Sequence, residues 1–229
     1  YIRKTHGAEC DANYIYMTCG AAASLTITLS ALCNAGDEVI TFAPYFTEYK
    51  VFTETAGATL VPLASDPDTF QIDFSLLEKA LNKNTAAVLV NSPNNPSGVV
   101  YGEETIRKLA ALLEEKSAEY KKAIYLITDE PYRELVYGGV KVPYLTNYYR
   151  NTVVCYSYSK SLSLPGERIG YISVNPAAEN AKDLYLAICG AGRALGYVCA
   201  PALFQKMGAR CQGVTSDVSV YEKNRDLLS

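Results

Sequence analysis

Thr152-Val153-Val154-Cys155-Tyr156-Ser157-Tyr158-Ser159-Lys160-Ser161-Leu162-Ser163-Leu164-Pro165-Gly166-Glu167-Arg168-Ile169-Gly170-Tyr171-Ile172-Ser173-Val174 is two short apolar runs around a polar loop. Both runs, Thr152–Tyr156 and Ile169–Val174, are rich in β-branched and aromatic residues and too short for helices, so each predicts a strand. Runs of the same kind recur upstream at Tyr14–Thr18, Glu38–Phe42, Thr59–Leu63, Ala86–Asn91 and Ile124–Thr128. Helical patterns fall between them at Ala21–Leu32, Phe46–Thr55, Phe74–Leu81 and Glu103–Tyr120. Asp73 with Ser75-x-x-Glu78 marks a helix start; Asn34-Ala35-Gly36 and Gly57 mark stops. Strands and helices alternating at this spacing predict an α/β fold, a three-layer α/β/α sandwich around a mostly parallel seven-stranded sheet. After Pro176 the pattern turns helical and stays so to Ser229. The chain opens without Met, and Val218–Leu228 reads as helix with no stop signal, so the sequence is read as part of a longer chain.

Composition narrows the function. A chain of 229 residues, 49% of them apolar, has enough material for one sizeable core. Net charge is −3 with no basic cluster, which argues against a nucleic-acid partner. No apolar run approaches the roughly 18 residues of a membrane span, and the N-terminus lacks the apolar centre of a signal peptide. Seven cysteines stand singly with no C-x-x-C pair, which predicts free, mostly buried thiols and a cytoplasmic protein. His6 is the sole histidine, so a His-based metal site or a Ser-His-Asp triad is not expected.

In parallel sheets ligands bind beyond the carboxyl ends of the strands. The first strand runs through Thr18-Cys19-Gly20-Ala21-Ala22 directly into a helix, whose free N–H groups suit a phosphate. A tight turn explains the same small residues equally well. The fourth ends in Asn91-Ser92-Pro93-Asn94-Asn95-Pro96-Ser97-Gly98, which by itself reads as a rigid turn. The fifth delivers Asp129-Glu130-Pro131-Tyr132, where the acid is either a helix cap or a buried carboxylate aimed at a cation. The sixth delivers Ser157, Ser159 and Lys160, with Arg168 following. A loop lysine is ordinarily solvated surface. Lys160 stands out because it lies among two serines and an arginine at a strand end, where partial loss of water favours a nucleophilic amine.

Taken in order, G-A-A, P-Y-F, N-N-P-S-G, D-E-P-Y and S-Y-S-K-S-L-S-L-P-G-E-R-I-G-Y resemble the class I/II aminotransferases of pyridoxal-phosphate fold type I. The resemblance spans Thr18 to Tyr171, and the Lys160–Arg168 segment is its most specific part. It implies a pyridoxal 5′-phosphate cofactor held by Lys160 as a Schiff base, with the freed amine later moving a proton. It assigns Asp129 to the pyridine nitrogen, Asn95 and Tyr132 to the phenolic oxygen, and Phe46 to the ring face. Ser157, Ser159, Arg168 and the Gly20-Ala21-Ala22 turn fall to the phosphate. Lys160, Asp129 and Tyr132 are then the catalytic residues. Residues 1–229 correspond to the cofactor-binding large domain, with 176–229 leading toward a small domain. The implied reaction moves an amino group between an amino acid, aspartate by similarity to bacterial relatives, and a 2-oxo acid. The implied assembly is a homodimer, with neither nucleic acid nor membrane as partner.

Some departures are visible. Phe46 stands where many relatives carry Trp or Tyr. The family's N-terminal arm, its small domain and the arginine that clamps the substrate carboxylate fall outside these residues, so this segment alone is expected to transaminate little. A carbon–sulfur β-lyase and the ligand-sensing domain of a transcription regulator share the same machinery and stay open as alternatives. Ser157-x-x-Lys160 also fits the S-x-x-K of penicillin-recognising enzymes, but the S-D-N and K-T-G partners are missing. Gly190-x-Gly192 with Gly196 follows a helical pattern, so close helix packing explains it better than a dinucleotide loop. Arg193 is read as a surface charge, the other reading being reach across a dimer interface.

Overall fold

The structure, a computed structural model, describes residues 1–228. Its sheet comprises β1 (Ile15–Thr18), β2 (Glu38–Ala43), β3 (Thr59–Ala64), β4 (Thr85–Asn91), β5 (Tyr125–Asp129), β6 (Thr152–Ser157) and β7 (Gly170–Val174). The strand order is β1-β7-β6-β5-β4-β2-β3. From β6 through β5, β4 and β2 to β3 every pairing is parallel, whereas β7 runs against both β6 and β1. The antiparallel turn follows from chain length. Only residues 158–169 join β6 to β7, and they hold no helix long enough to carry the chain back for a parallel return.

The central strands are buried on both sides, as a parallel sheet covered by helices requires. Every residue of β4, β6 and β7 is buried. Alternate residues of β4 face opposite layers. Val88 and Val90 meet Leu77 of α4 (Phe74–Ala80) and Ile106, Leu109 and Leu113 of α5 (Glu103–Tyr120). Ala87 and Leu89 meet Leu25 and Leu29 of α2 (Ala21–Leu32) and Tyr49 of α3 (Glu48–Thr55). Leu184 and Ile188 of α7 (Ala181–Ala194) extend that second layer over β6 and β7. Full burial of each such aliphatic side chain contributes about 1.5–3 kcal/mol before entropy is counted. Because α2 lies between the sheet and neighbouring helices, its hydroxyls need partners inside. Ser24 Oγ meets Thr18 Oγ1 at 2.7 Å, and Thr28 Oγ1 meets Cys155 Sγ at 3.6 Å.

Several expectations are corrected. The helical stretch beyond Pro176 is three pieces, α7, α8 (Ala202–Arg210) and α9 (Ser219–Leu228), and Ser229 lies outside the described residues. Breaks occur where Gly196 and Gly213 take φ of +82° and Pro201 removes a donor. A short helix, α1 (Ile2–His6), and a 3-10 turn at Ala12–Tyr14 precede β1. The start of α4 is set by Asp73, whose carboxylate accepts from the N–H groups of Ser75 and Leu76. All seven cysteines are free, but only Cys155 is buried and Cys199 is exposed, so "mostly buried" does not describe them. Gly192 does serve close packing, since a Cβ there would stand 2.6 Å from Tyr16 Oη.

Candidate active site

The ends of β1, β4, β5 and β6 converge on one cleft of about 230 Å3. Of the residues singled out from the sequence, Ala21, Ala22, Phe46, Asn95, Asp129 and Tyr132 line it. Ser157, Ser159, Lys160 and Arg168 complete that set. Gly20 lies just behind the wall and shapes it. Its φ is +94°, and a Cβ there would come within 2.9 Å of Arg168 Nη2. Glycine therefore allows the guanidinium to lie against the turn that opens α2. Below it, a Cβ at Gly170 would sit 2.3 Å from the Tyr156 carbonyl and 2.9 Å from Gly20 Cα, so the backbones of β7 and the turn are in direct contact.

This corner is built for an anion. The first N–H groups of α2 have no partner within the helix and carry its positive dipole end. Arg168 adds a charged fork, steadied by a 2.8 Å bond from Nη1 to the Pro165 carbonyl. Ser157 Oγ caps the helical turn α6 (Tyr158–Ser161) by accepting from Ser159 N at 3.1 Å, and it shares a proton with Ser159 Oγ at 2.7 Å.

Lys160 sits in α6, not in the loop expected for it, because the Ser157 cap starts a helical turn at the strand end. Its Nζ lies 5.9 Å from the centre of the Tyr132 ring. The side chain is exposed at the cleft mouth, which corrects the expectation of a partly desolvated amine.

Asp129 is the opposite case: it closes β5 and is 4% exposed. It caps no helix, which decides between its two sequence readings in favour of a buried carboxylate. Tyr49 Oη donates to its Oδ2 at 2.6 Å, while Oδ1 is buried with no partner among the described residues. Burial pushes the carboxyl up to about 7; the Tyr49 bond opposes this, and the Glu130 charge adds to it. An orphaned carboxylate oxygen at the base of a cleft is expensive unless a ligand donor meets it. Pyridoxal phosphate offers a ring N–H for Oδ1, a phosphate for the Gly20–Arg168 corner and an aldehyde for Lys160, so these residues fit it.

Sequence reasoning missed Leu25, Asn91, Pro131 and Pro165, which also line the cleft. The N-N-P-S-G and D-E-P-Y motifs bracket Asn91 and contain Pro131, so their neighbourhood was visible. Leu25 carried no signal beyond a helix core pattern. Glu130, next to Asp129, turns away into the core. It forms an ion pair with Arg133, both side chains being at most 5% exposed, and Thr128 Oγ1 donates to it at 2.8 Å. Arg193 is exposed on the last turn of α7.

Comparison with known proteins places the chain in a family. The family model for aminotransferase class I and II matches residues 1–200. A probable aspartate/prephenate aminotransferase of Thermus aquaticus is 34% identical over 171 residues, 74% of this chain and 43% of that protein. Human kynurenine–oxoglutarate transaminase 3 is 33% identical over 187 residues, 76% of this chain and 40% of its own. A crystal structure of an amino transferase from Eubacterium rectale superposes with TM-score 0.98 at 60% identity, over 99% of this chain and 57% of that one. A tetra mutant of Thermus thermophilus aspartate aminotransferase superposes with TM-score 0.80 at 26% identity, over 99% of this chain and 61% of that one. The chain spans less than half the length of these curated relatives. With a family model covering most of its length and the same fold in solved relatives, the chain belongs to the class I and II aminotransferases.

Proposed function

We propose that residues 1–229 are the cofactor-binding large domain of a pyridoxal-phosphate aminotransferase, with α7–α9 leading into a further domain. The observation that carries this reading is the single cleft holding Lys160, the orphaned Asp129 Oδ1 and the Gly20–Arg168 anion corner. When bound, the cofactor supplies an electron sink for the pair released as a substrate Cα–H bond breaks.

The protein's own residues do the rest. Lys160 Nζ would hold the cofactor covalently and, when free, would carry a proton at the substrate Cα. Asp129 Oδ1, buried without a partner, would accept from the ring nitrogen and favour its protonated form. Asn95 and Tyr132 would hydrogen-bond the phenolic oxygen, and Phe46 would cover a ring face. Ser157, Ser159, Arg168 and the N–H groups of Ala21 and Ala22 would bind the phosphate. The substrates are an amino acid and a 2-oxo acid. Aspartate is favoured by the names of several relatives, among them the aspartate aminotransferases of Pyrococcus horikoshii and Streptomyces avermitilis. A homodimer is supported by large apolar side chains left exposed on α7 and α8, namely Leu186, Leu203 and Met207. Seven free thiols support a cytoplasmic location.

The test is amino transfer by the full-length protein supplied with pyridoxal phosphate, aspartate and 2-oxoglutarate. Oxaloacetate and glutamate are expected in equal amounts, and Lys160→Ala is expected to abolish both. If a cofactor-loaded protein transfers no amino group from any of a panel of amino acids, the aminotransferase reading is wrong.

A further inference from the structure

Tyr49 is a residue that neither motif nor strand end marks, yet it touches two parts of the cleft. It is the second residue of α3 and 1% exposed. Its N–H donates to the Phe46 carbonyl at 3.0 Å, and its ring stands edge-on to that of Phe46 with centres 5.6 Å apart. Its hydroxyl reaches across 80 residues of sequence to Asp129 Oδ2 at 2.6 Å. Phenylalanine would fill nearly the same space, so packing alone gives no reason for the oxygen. The oxygen matters only to the carboxylate.

An ionised carboxylate accepts and cannot donate, so the phenol is the donor whenever Asp129 is charged. That bond does two things. It fixes the rotation of the carboxyl, leaving Oδ1 as the buried oxygen without a partner. It also favours the anion against burial, since a hydrogen bond to a charged acceptor is stronger than one to a neutral group. No other side chain among the described residues donates to the Asp129 carboxylate. The ionisable neighbours of the pair are Glu130, Tyr132 and Cys155, and none of them supplies positive charge to it.

We propose that Tyr49 is a positioning residue for Asp129: its phenol holds Oδ2, turns Oδ1 to the cleft and keeps a fully buried carboxyl available as an anion. The link from Oδ1 to a cofactor nitrogen rests on the function proposed above. The link from Tyr49 to Asp129 does not.

The experiment separates the two. In the full-length protein without cofactor, Asp129 is followed by carbon NMR of its carboxyl group, assigned by comparison with Asp129→Asn. Position 49 is compared as tyrosine, as phenylalanine, and as the size-matched pair p-fluorophenylalanine, which cannot donate, and p-aminophenylalanine, which can. The titration midpoint of Asp129 is expected to rise by about one pH unit in Tyr49→Phe and with the fluoro side chain, and to return toward the native value with the amino side chain. A midpoint unchanged by loss of the donor, in chains whose near-ultraviolet dichroism stays native, overturns the proposal. Pyridoxal phosphate is then titrated into the same proteins. About tenfold weaker binding in Tyr49→Phe, restored by the amino side chain, extends the role to the cofactor. Equal binding overturns that extension. Failure of the native chain to bind pyridoxal phosphate at all counts against the cofactor site and leaves the carboxyl titration to judge Tyr49.

Discussion

Asn91 and Asp129 are register partners at the ends of the adjacent parallel strands β4 and β5, and the side-chain amide of Asn91 donates to the Asp129 carbonyl at 2.8 Å. The same side chain accepts from Asn95 N at 2.6 Å. One buried residue thus ties together the main chains of two residues assigned to the cofactor, Asp129 on β5 and Asn95 beyond β4. Asn91→Ala leaves both backbone groups without their partner. A loss of about 2 kcal/mol is expected in urea unfolding, with weaker binding of pyridoxal phosphate. Stability within about 0.5 kcal/mol of native would show that the bracket has no such role.

Asp129 and His6 set opposing pH dependences. Burial raises Asp129 from 3.8 to about 7, so between those values the native chain holds a proton that the unfolded chain has lost. Stability from this group is therefore complete below about 4 and falls as pH rises to about 7. His6, stacked on Tyr144 with ring centres 4.7 Å apart, is lowered from 6.5 to about 4 by burial and then by the Arg133 charge. Its contribution is present above 6.5 and is lost as pH falls toward 4. Thermal midpoints measured from pH 4 to 8 should show Asp129→Asn gaining on the native chain as pH rises. His6→Phe, which keeps a stacked ring, should remove the acid-side decline. Curves that run parallel across this range would contradict both assignments.

The Glu130–Arg133 pair predicts a sharp asymmetry between single and double replacement. Arg133 Nε donates to Glu130 at 2.6 Å, and its guanidinium lies 4.7 Å from the centre of the Tyr144 ring. Arg133→Met strands a carboxylate that is 1% exposed and should cost about 3–5 kcal/mol in chemical denaturation. Glu130→Leu combined with Arg133→Met removes both charges and should recover most of that loss.

Gly170→Ala tests the contact beneath the anion corner. Its Cβ would meet the Tyr156 carbonyl and Gly20 Cα, neither of which is a flexible side chain. A cost of about 1–3 kcal/mol is expected, with displaced amide resonances at Gly20, Ala21 and Ala22 and poorer phosphate binding. Native resonances at that turn would mean that the two backbones are not in contact.

Much of this was legible in the sequence because the elements are punctuated locally. The bounds of α2 and α5 match the periodic runs Ala21–Leu32 and Glu103–Tyr120, since Gly20 and Gly102 precede them and no breaker falls inside. The strands were found to within a residue because their apolar runs are short and isolated. The four-residue α6 was missed because a single turn has no periodicity to read; its signal was the Ser157 cap. The breaks after α7 and α8 are absent from the sequence reading, which takes 176–229 as continuously helical, although Gly196, Pro201 and Gly213 stand at them. The residues carried by motifs line one cleft, whereas Tyr49 and Asn91 bond Asp129 across 80 and 38 residues, a relation only the folded sheet creates. The exposure of Lys160 was likewise invisible, because what surrounds an amine depends on packing and not on its neighbours in sequence.

The central claim is that Lys160 is the cofactor's attachment point. The direct measurement is to add pyridoxal phosphate to this chain and to Lys160→Ala, reduce with borohydride, and map the modified peptides by mass. The account predicts one stoichiometric adduct on the peptide containing Lys160, absent from the variant. Labelling spread over surface lysines to the same extent in both proteins would contradict it.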